Sequence, residues 1–212
     1  MAFADFTLES AEAELGVVMR PGVLFENLQP IPVPPWLKDI LARGMQLALQ
    51  SEKARSEFIV APILLAVREL SGGRIAILSG QRLDVDPARR LLGECDFILA
   101  VSDPVPRLRA PLVTVLEAKK QDIEAGLGQC IAQMVAAKIY NEKSGQPFPA
   151  IYGCVTTGEA WQFLRLVGTE VTLHHVRYYV DNVGAILAAL HQIVQQALAG
   201  KSSETGADGK PS

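Results

Sequence analysis

Residues 93–98, Gly93-Glu94-Cys95-Asp96-Phe97-Ile98, and residues 113–120, Val113-Thr114-Val115-Leu116-Glu117-Ala118-Lys119-Lys120, decide how this chain is read. Both are strand-like, and side chains alternate faces along a strand. Asp96 therefore shares a face with Ile98 and Ala100, and Glu117 and Lys119 share one with Val113 and Val115. Antiparallel pairing across the loop at 102–110 sets Asp96 opposite Glu117, Ile98 opposite Val115 and Ala100 opposite Val113. Two carboxylates then lie about 5 Å apart at the open end of an apolar face, where opposed like charges destabilise unless a positive group lies between them. A hard divalent cation, Mg2+ or Mn2+, meets that need through Asp96, Glu117 and the Ala118 carbonyl, completed by water and a substrate phosphate. Lys119, on the same face, places an ammonium beside them.

Working outward, residues 122–141 predict a helix, with Ile123, Leu127, Ile131, Met134, Val135 and Ile139 at helical spacing and Asp122 as its cap. Upstream, a helix is expected over 46–70, interrupted or restarted at Pro62, followed by a strand within 74–86. Downstream, strands are expected at 151–157, 161–167 and 171–178, with a last helix capped by Asp181. Residues 1–45 read as an arm whose stretch at 29–36, rich in proline, is extended and anchored by Trp36. Residues 201–212 read as a polar, disordered tail. The expectation is an α/β domain over 46–200, a central mixed sheet flanked by helices.

Composition narrows the functions. Of the 212 residues, 49% are hydrophobic and 20% charged, which describes a globular chain. The net charge of -3 excludes the all-over positive field of a non-specific nucleic-acid binder, so a polyanion must be met by a local patch. Residues 74–120 carry eight Lys and Arg against six Asp and Glu, and Arg82 and Lys120 are the candidate contacts to nucleic acid. Cys95, Cys130 and Cys154 form neither a disulfide framework nor a Cys-x-x-Cys site, and a reducing cytoplasm is the compartment expected. Residues 183–200 lack charge, yet His191, Gln192, Gln195 and Gln196 interrupt the run, so an amphipathic helix is expected and no membrane span. The small, uncharged side of that helix, Gly184, Ala188, Gln192, Gln195 and Ala199, must pack on something. A homodimer across a two-fold axis is favoured over the chain's own arm rich in proline.

Asp96 followed by Glu117-Ala118-Lys119 at the end of the next strand resembles the signature of the PD-(D/E)XK nuclease superfamily. The likeness covers about residues 57–163 and includes bacterial members. It implies a restriction-endonuclease-like core and a metal-dependent nuclease that hydrolyses DNA phosphodiester bonds, with the acidic residue of the first helix matched by Glu57 and more weakly by Glu52. Gln129 resembles the glutamine that many members place near the site. Residues 152–163, with Thr156-Thr157-Gly158 and Trp161, look like a strand pair of type I restriction enzyme nuclease domains. Cys95 stands where the family has proline, and Gln133 where RecB-like members have tyrosine. The alternative is a catalytically idle member acting as a nucleic-acid-binding or protein-interaction module.

Overall fold

The computed structural model describes residues 2–48, 51–102, 107–119 and 121–205. The first part of the chain forms α1 (Leu8–Leu15), β1 (Val18–Gly22), α2 (Pro35–Ala48), α3 (Glu52–Arg55), a π-helical turn (Ser56–Val60) and α4 (Ala61–Leu70). Then come β2 (Ala76–Arg82), β3 (Glu94–Ala100), β4 (Leu112–Ala118) and α5 (Glu124–Lys143). The chain continues through β5 (Ile151–Thr156), β6 (Ala160–Val167), β7 (Glu170–His174), β8 (Tyr178–Tyr179) and α6 (Val183–Thr205). The strands make one mixed sheet in the order β1-β7-β6-β5-β4-β3-β2, with β8 beside β6. β4 and β5 run parallel, as do β1 and β7, and the remaining pairs are antiparallel.

Helices cover both faces, which is why every residue of β4 is buried. On one face Cys130, Ile131 and Met134 of α5 pack with Ile98, Val115 and Val155. On the other, Ile63 and Leu64 of α4 and Leu187 and Leu190 of α6 pack with Leu99, Leu116 and Phe163. The expected α/β fold with a central mixed sheet flanked by helices is the one observed.

Near its acidic end the β3–β4 register is the expected one, with Ile98 opposite Val115 and Phe97 opposite Leu116. Further along, a bulge between Leu99 and Ala100 sets Ala100 opposite Leu112 instead of Val113. The irregularity lies away from the carboxylates, so counting on from Phe97 still brings Asp96 to Glu117.

Several local expectations change. The stretch at 1–45 holds two helices and an edge strand: Thr7 caps α1, Gly16 ends it in the left-handed conformation, and β1 pairs with β7. Of the helix expected over 46–70, residues 46–48 end α2, 49–50 lie outside the described residues, and the remainder is α3, the π-helical turn and α4, the last starting beside Pro62, which has no N–H to continue an α-helical ladder. The strand expected to 178 stops at His174, and β8 pairs with β6 instead. α6 runs on to Thr205, into the stretch read as a tail, and residues 206–212 lie outside the described residues.

By length and composition residues 180–200 would suffice to cross a membrane, but more than half of that window is buried within the fold. The side of α6 expected to seek a second copy is covered at its start by the same chain. Ile31 donates its N–H to the Gly184 carbonyl at 3.0 Å, and Ala188 is buried. A Cβ on Gly184 would lie 2.7 Å from the Ile31 oxygen, so glycine is needed for this approach. Gly184, at the start of that side, thus meets the chain's own residues 30–31.

Candidate functional site

The acidic end of the β3–β4 pair opens into a cleft of about 550 Å3, roofed by α3 and the π-helical turn and lined by Glu52, Glu57, Asp96, Glu117 and Ala118 among others. Glu117 is the last inward-facing residue of β4 and only 4% exposed. Its Oε1 lies 2.9 Å from Lys119 Nζ, and its Oε2 accepts a hydrogen bond from Gln133 Nε2 at 2.8 Å. Lys119 Nζ also donates to Gln129 Oε1 at 2.8 Å. Asp96 Oδ2 accepts from the backbone N–H of Ala118 at 2.7 Å. Asp96, Glu117, Lys119 and Gln129 are therefore brought together as expected.

Each position follows from its element. The Lys119 N–H donates to the Thr156 carbonyl at 2.7 Å, which continues the parallel pairing of β4 with β5 one residue past the strand. The lysine stem then runs along the first turn of α5, where a Cβ on Gly126 would stand 3.1 Å from Lys119 Cγ and 2.6 Å from Val155 Cγ1. Gly126 leaves the space through which Lys119 reaches Gln129. α3 is fixed in turn by the β5–β6 hairpin, whose Thr157 carbonyl accepts from buried Arg55 Nη1 at 2.8 Å. Within that hairpin Thr156 Oγ1 accepts from the Gly158 N–H, and Trp161 Nε1 donates to the Gly158 carbonyl. The Thr156-Thr157-Gly158 and Trp161 pattern singled out in the sequence is thus a turn that carries the cleft's roof.

Electrostatically the pair is under stress. Burial and, next, the Asp96 charge raise the Glu117 carboxyl to about 7, against the opposing effects of Lys119 and Gln133. Burial also raises Asp96, whereas the Ala118 N–H and Lys119 lower it and Glu52 and Glu94 raise it. One ammonium does not neutralise two carboxylates, Glu117 buried and Asp96 half-buried. The thiols of Cys95, Cys130 and Cys154 are all pushed up by burial and are not poised nucleophiles.

Other sequence candidates fare differently. Glu57 lines the cleft but its side chain is 55% exposed and pairs with Lys53 at 3.8 Å. Glu52, the weaker match, is the one whose charge bears on Asp96. Arg82 is exposed on β2 and forms a forked ion pair with Asp84, outside the cleft lining. Lys120 lies outside the described residues. His174 is a structural residue: Nδ1 accepts from the Leu24 N–H at 3.1 Å, and Nε2 lies 3.1 Å from the Tyr178 hydroxyl. Sequence reading noted Gln133 only as a departure from RecB-like members; that Gln129 and Gln133 stand one turn apart in the otherwise apolar stretch 126–137 was a visible signal of polarity there, though not of the Glu117 partner.

Among the described residues no group of three or more His, Cys, Asp or Glu side chains is gathered as a metal cage. Asp96, Glu117 and the Ala118 backbone offer hard oxygens only. One or two carboxylates with water and phosphate suit Mg2+ or Mn2+, so the donor set and its uncompensated charge fit such an ion. The chain matches no model of a known protein family and no curated protein at a significant level.

Proposed function

We propose that this chain is a metal-dependent nuclease that hydrolyses DNA phosphodiester bonds, with Mg2+ or Mn2+ held by Asp96, Glu117 and the Ala118 carbonyl in a restriction-endonuclease-like core. The observation that carries this reading is the convergence of Asp96 and Glu117 at one cleft with the Lys119 ammonium 2.9 Å from Glu117. The order of helix, three antiparallel strands, helix and parallel strand from α4 to β5 supports it.

A cation at this site supplies Lewis-acid activation of water and of a phosphoryl oxygen. The chain's own residues do the rest. Lys119 carries a fixed positive charge that offsets charge developing on the phosphate as water adds to phosphorus and the bond to the departing sugar oxygen breaks. Gln129 keeps that ammonium in place by accepting one of its protons, and Ala118 keeps Asp96 turned toward Glu117.

The second reading is an idle fold used for binding, and one observation favours it: Gln129, Lys119, Glu117 and Gln133 already form a connected set in which both Glu117 oxygens have partners. Cleavage assays separate the two. The nuclease reading expects Mn2+-dependent cleavage of DNA by the wild type and a fall of about 100-fold or more in Lys119→Met, which keeps the carboxylates but loses the charge. A wild type inert toward single-stranded, double-stranded and branched DNA with both Mg2+ and Mn2+ would establish the idle reading.

A further inference from the structure

We infer that Gln133 is a positioning residue that fixes the Glu117 carboxylate for cation binding, an inference that rests on the metal reading above. Gln133 is fully buried in the middle of α5, where its neighbours Cys130, Ile131, Ala132, Met134, Ala136 and Ala137 are buried and apolar. Its Nε2 donates to Glu117 Oε2 at 2.8 Å, and its own Oε1, equally buried, meets no donor among the described residues. Buried side-chain oxygens nearly always have a partner, and an orphan calls for an explanation. Turning the amide over would not help, because it would aim the carbonyl oxygen at a carboxylate. The glutamine accepts a half-satisfied amide in order to keep its N–H on Glu117.

The consequence is geometric. Glu117 reaches the cleft through a stem with three rotatable bonds, yet its two oxygens are assigned to different partners, Oε2 to Gln133 and Oε1 to Lys119. Rotation of the carboxylate plane breaks both bonds, so the edge presented to a cation is set by Gln133 of α5 and by Lys119, itself held by Gln129 of α5, and not by the stem. The donor is also neutral. It holds the anion without cancelling the charge that a cation requires, which an arginine or lysine at this position would do. Groups that orient a metal ligand from behind typically contribute 10–100-fold in affinity.

The test is calorimetric titration of the full chain with Mn2+, comparing wild type with Gln133→Met, which matches the glutamine in length and removes the donor together with the orphan oxygen. Thermal melts in chelator run alongside, and Gln133→Leu serves if methionine overpacks the helix. The expected result is binding at least about tenfold weaker in the variant with no loss of melting temperature. Equal affinity for Mn2+ would overturn the positioning role, as would weaker binding accompanied by a clearly lower melt, which would mark the amide as structural. Absence of Mn2+ binding by the wild type overturns the metal reading and this inference with it, whereas binding by the wild type with an indifferent Gln133→Met overturns this inference alone.

Discussion

The Ala118 N–H and the Asp96 carboxylate are joined across the β3–β4 pair, 2.7 Å from nitrogen to Oδ2, so the third residue of one strand is tied to the last residue of the next. The bond sets where Asp96 stands relative to Glu117, and it opposes the effect of burial on the Asp96 carboxyl. Asp96→Asn retains an oxygen for this N–H, and Asp96→Ala does not. Both relieve the repulsion at Glu117, so their difference isolates the bond. Denaturant melts in chelator should show the alanine variant less stable than the asparagine by about 1–2 kcal/mol, while neither binds Mn2+.

The pair of carboxylates also predicts a pH dependence of the metal-free protein. Glu117 is raised from 4.5 to about 7 in the fold. Between those values the folded state binds more protons than the unfolded one, so stability falls as pH rises and levels off above the folded value. The raised Asp96 carboxyl acts in the same direction. Unfolding in EDTA should show Glu117→Gln gaining on the wild type across this window, by up to about 3 kcal/mol. A difference that stays flat from pH 4.5 to 8 would mean that Lys119 and Gln133 satisfy Glu117 fully.

Docking of residues 30–31 on α6 yields a third expectation. Alanine at 184 adds a methyl 2.7 Å from the Ile31 carbonyl, and backbone yields less readily than a flexible side chain. Gly184→Ala should lose about 1–2 kcal/mol net, since overpacking outweighs the gain in helix propensity of up to about 1 kcal/mol. Limited proteolysis should then cut residues 23–34 faster than in the wild type. An unchanged melt and an unchanged cleavage rate would show that the contact contributes nothing.

The site was legible where short-range pattern and tertiary structure agree. Alternation fixed the faces of Asp96, Glu117 and Lys119, and only one antiparallel register paired acid with acid and apolar with apolar, so the end of the sheet could be read from the two segments alone. α5 declared itself by periodicity. The bulge at Leu99 and Ala100 left no mark, because Leu112 and Val113 are interchangeable as apolar neighbours.

What escaped did so for physical reasons. β1 contains Pro21 and Gly22, residue types that disfavour a strand interior, and only its parallel pairing with β7 at the sheet edge makes it a strand. Pro35 looked like part of an extended run but is the first residue of α2, where a missing N–H does no harm. Glu57 is the stronger family match and Glu52 the weaker, yet Glu57 sits on the π-helical turn Ser56–Val60 with its side chain 55% exposed, whereas the Glu52 charge bears on Asp96. Gln133 is tied to a residue sixteen positions away, a relation that no local pattern encodes.

The measurement closest to the central claim is calorimetric titration of the wild type and of Glu117→Gln with Mn2+ near pH 7.5. Joint ligation by Asp96 and Glu117 predicts saturable binding by the wild type and at least about tenfold weaker binding by Glu117→Gln, with folding retained in both. No heat of binding in the wild type, or an affinity that Glu117→Gln leaves unchanged, would contradict it.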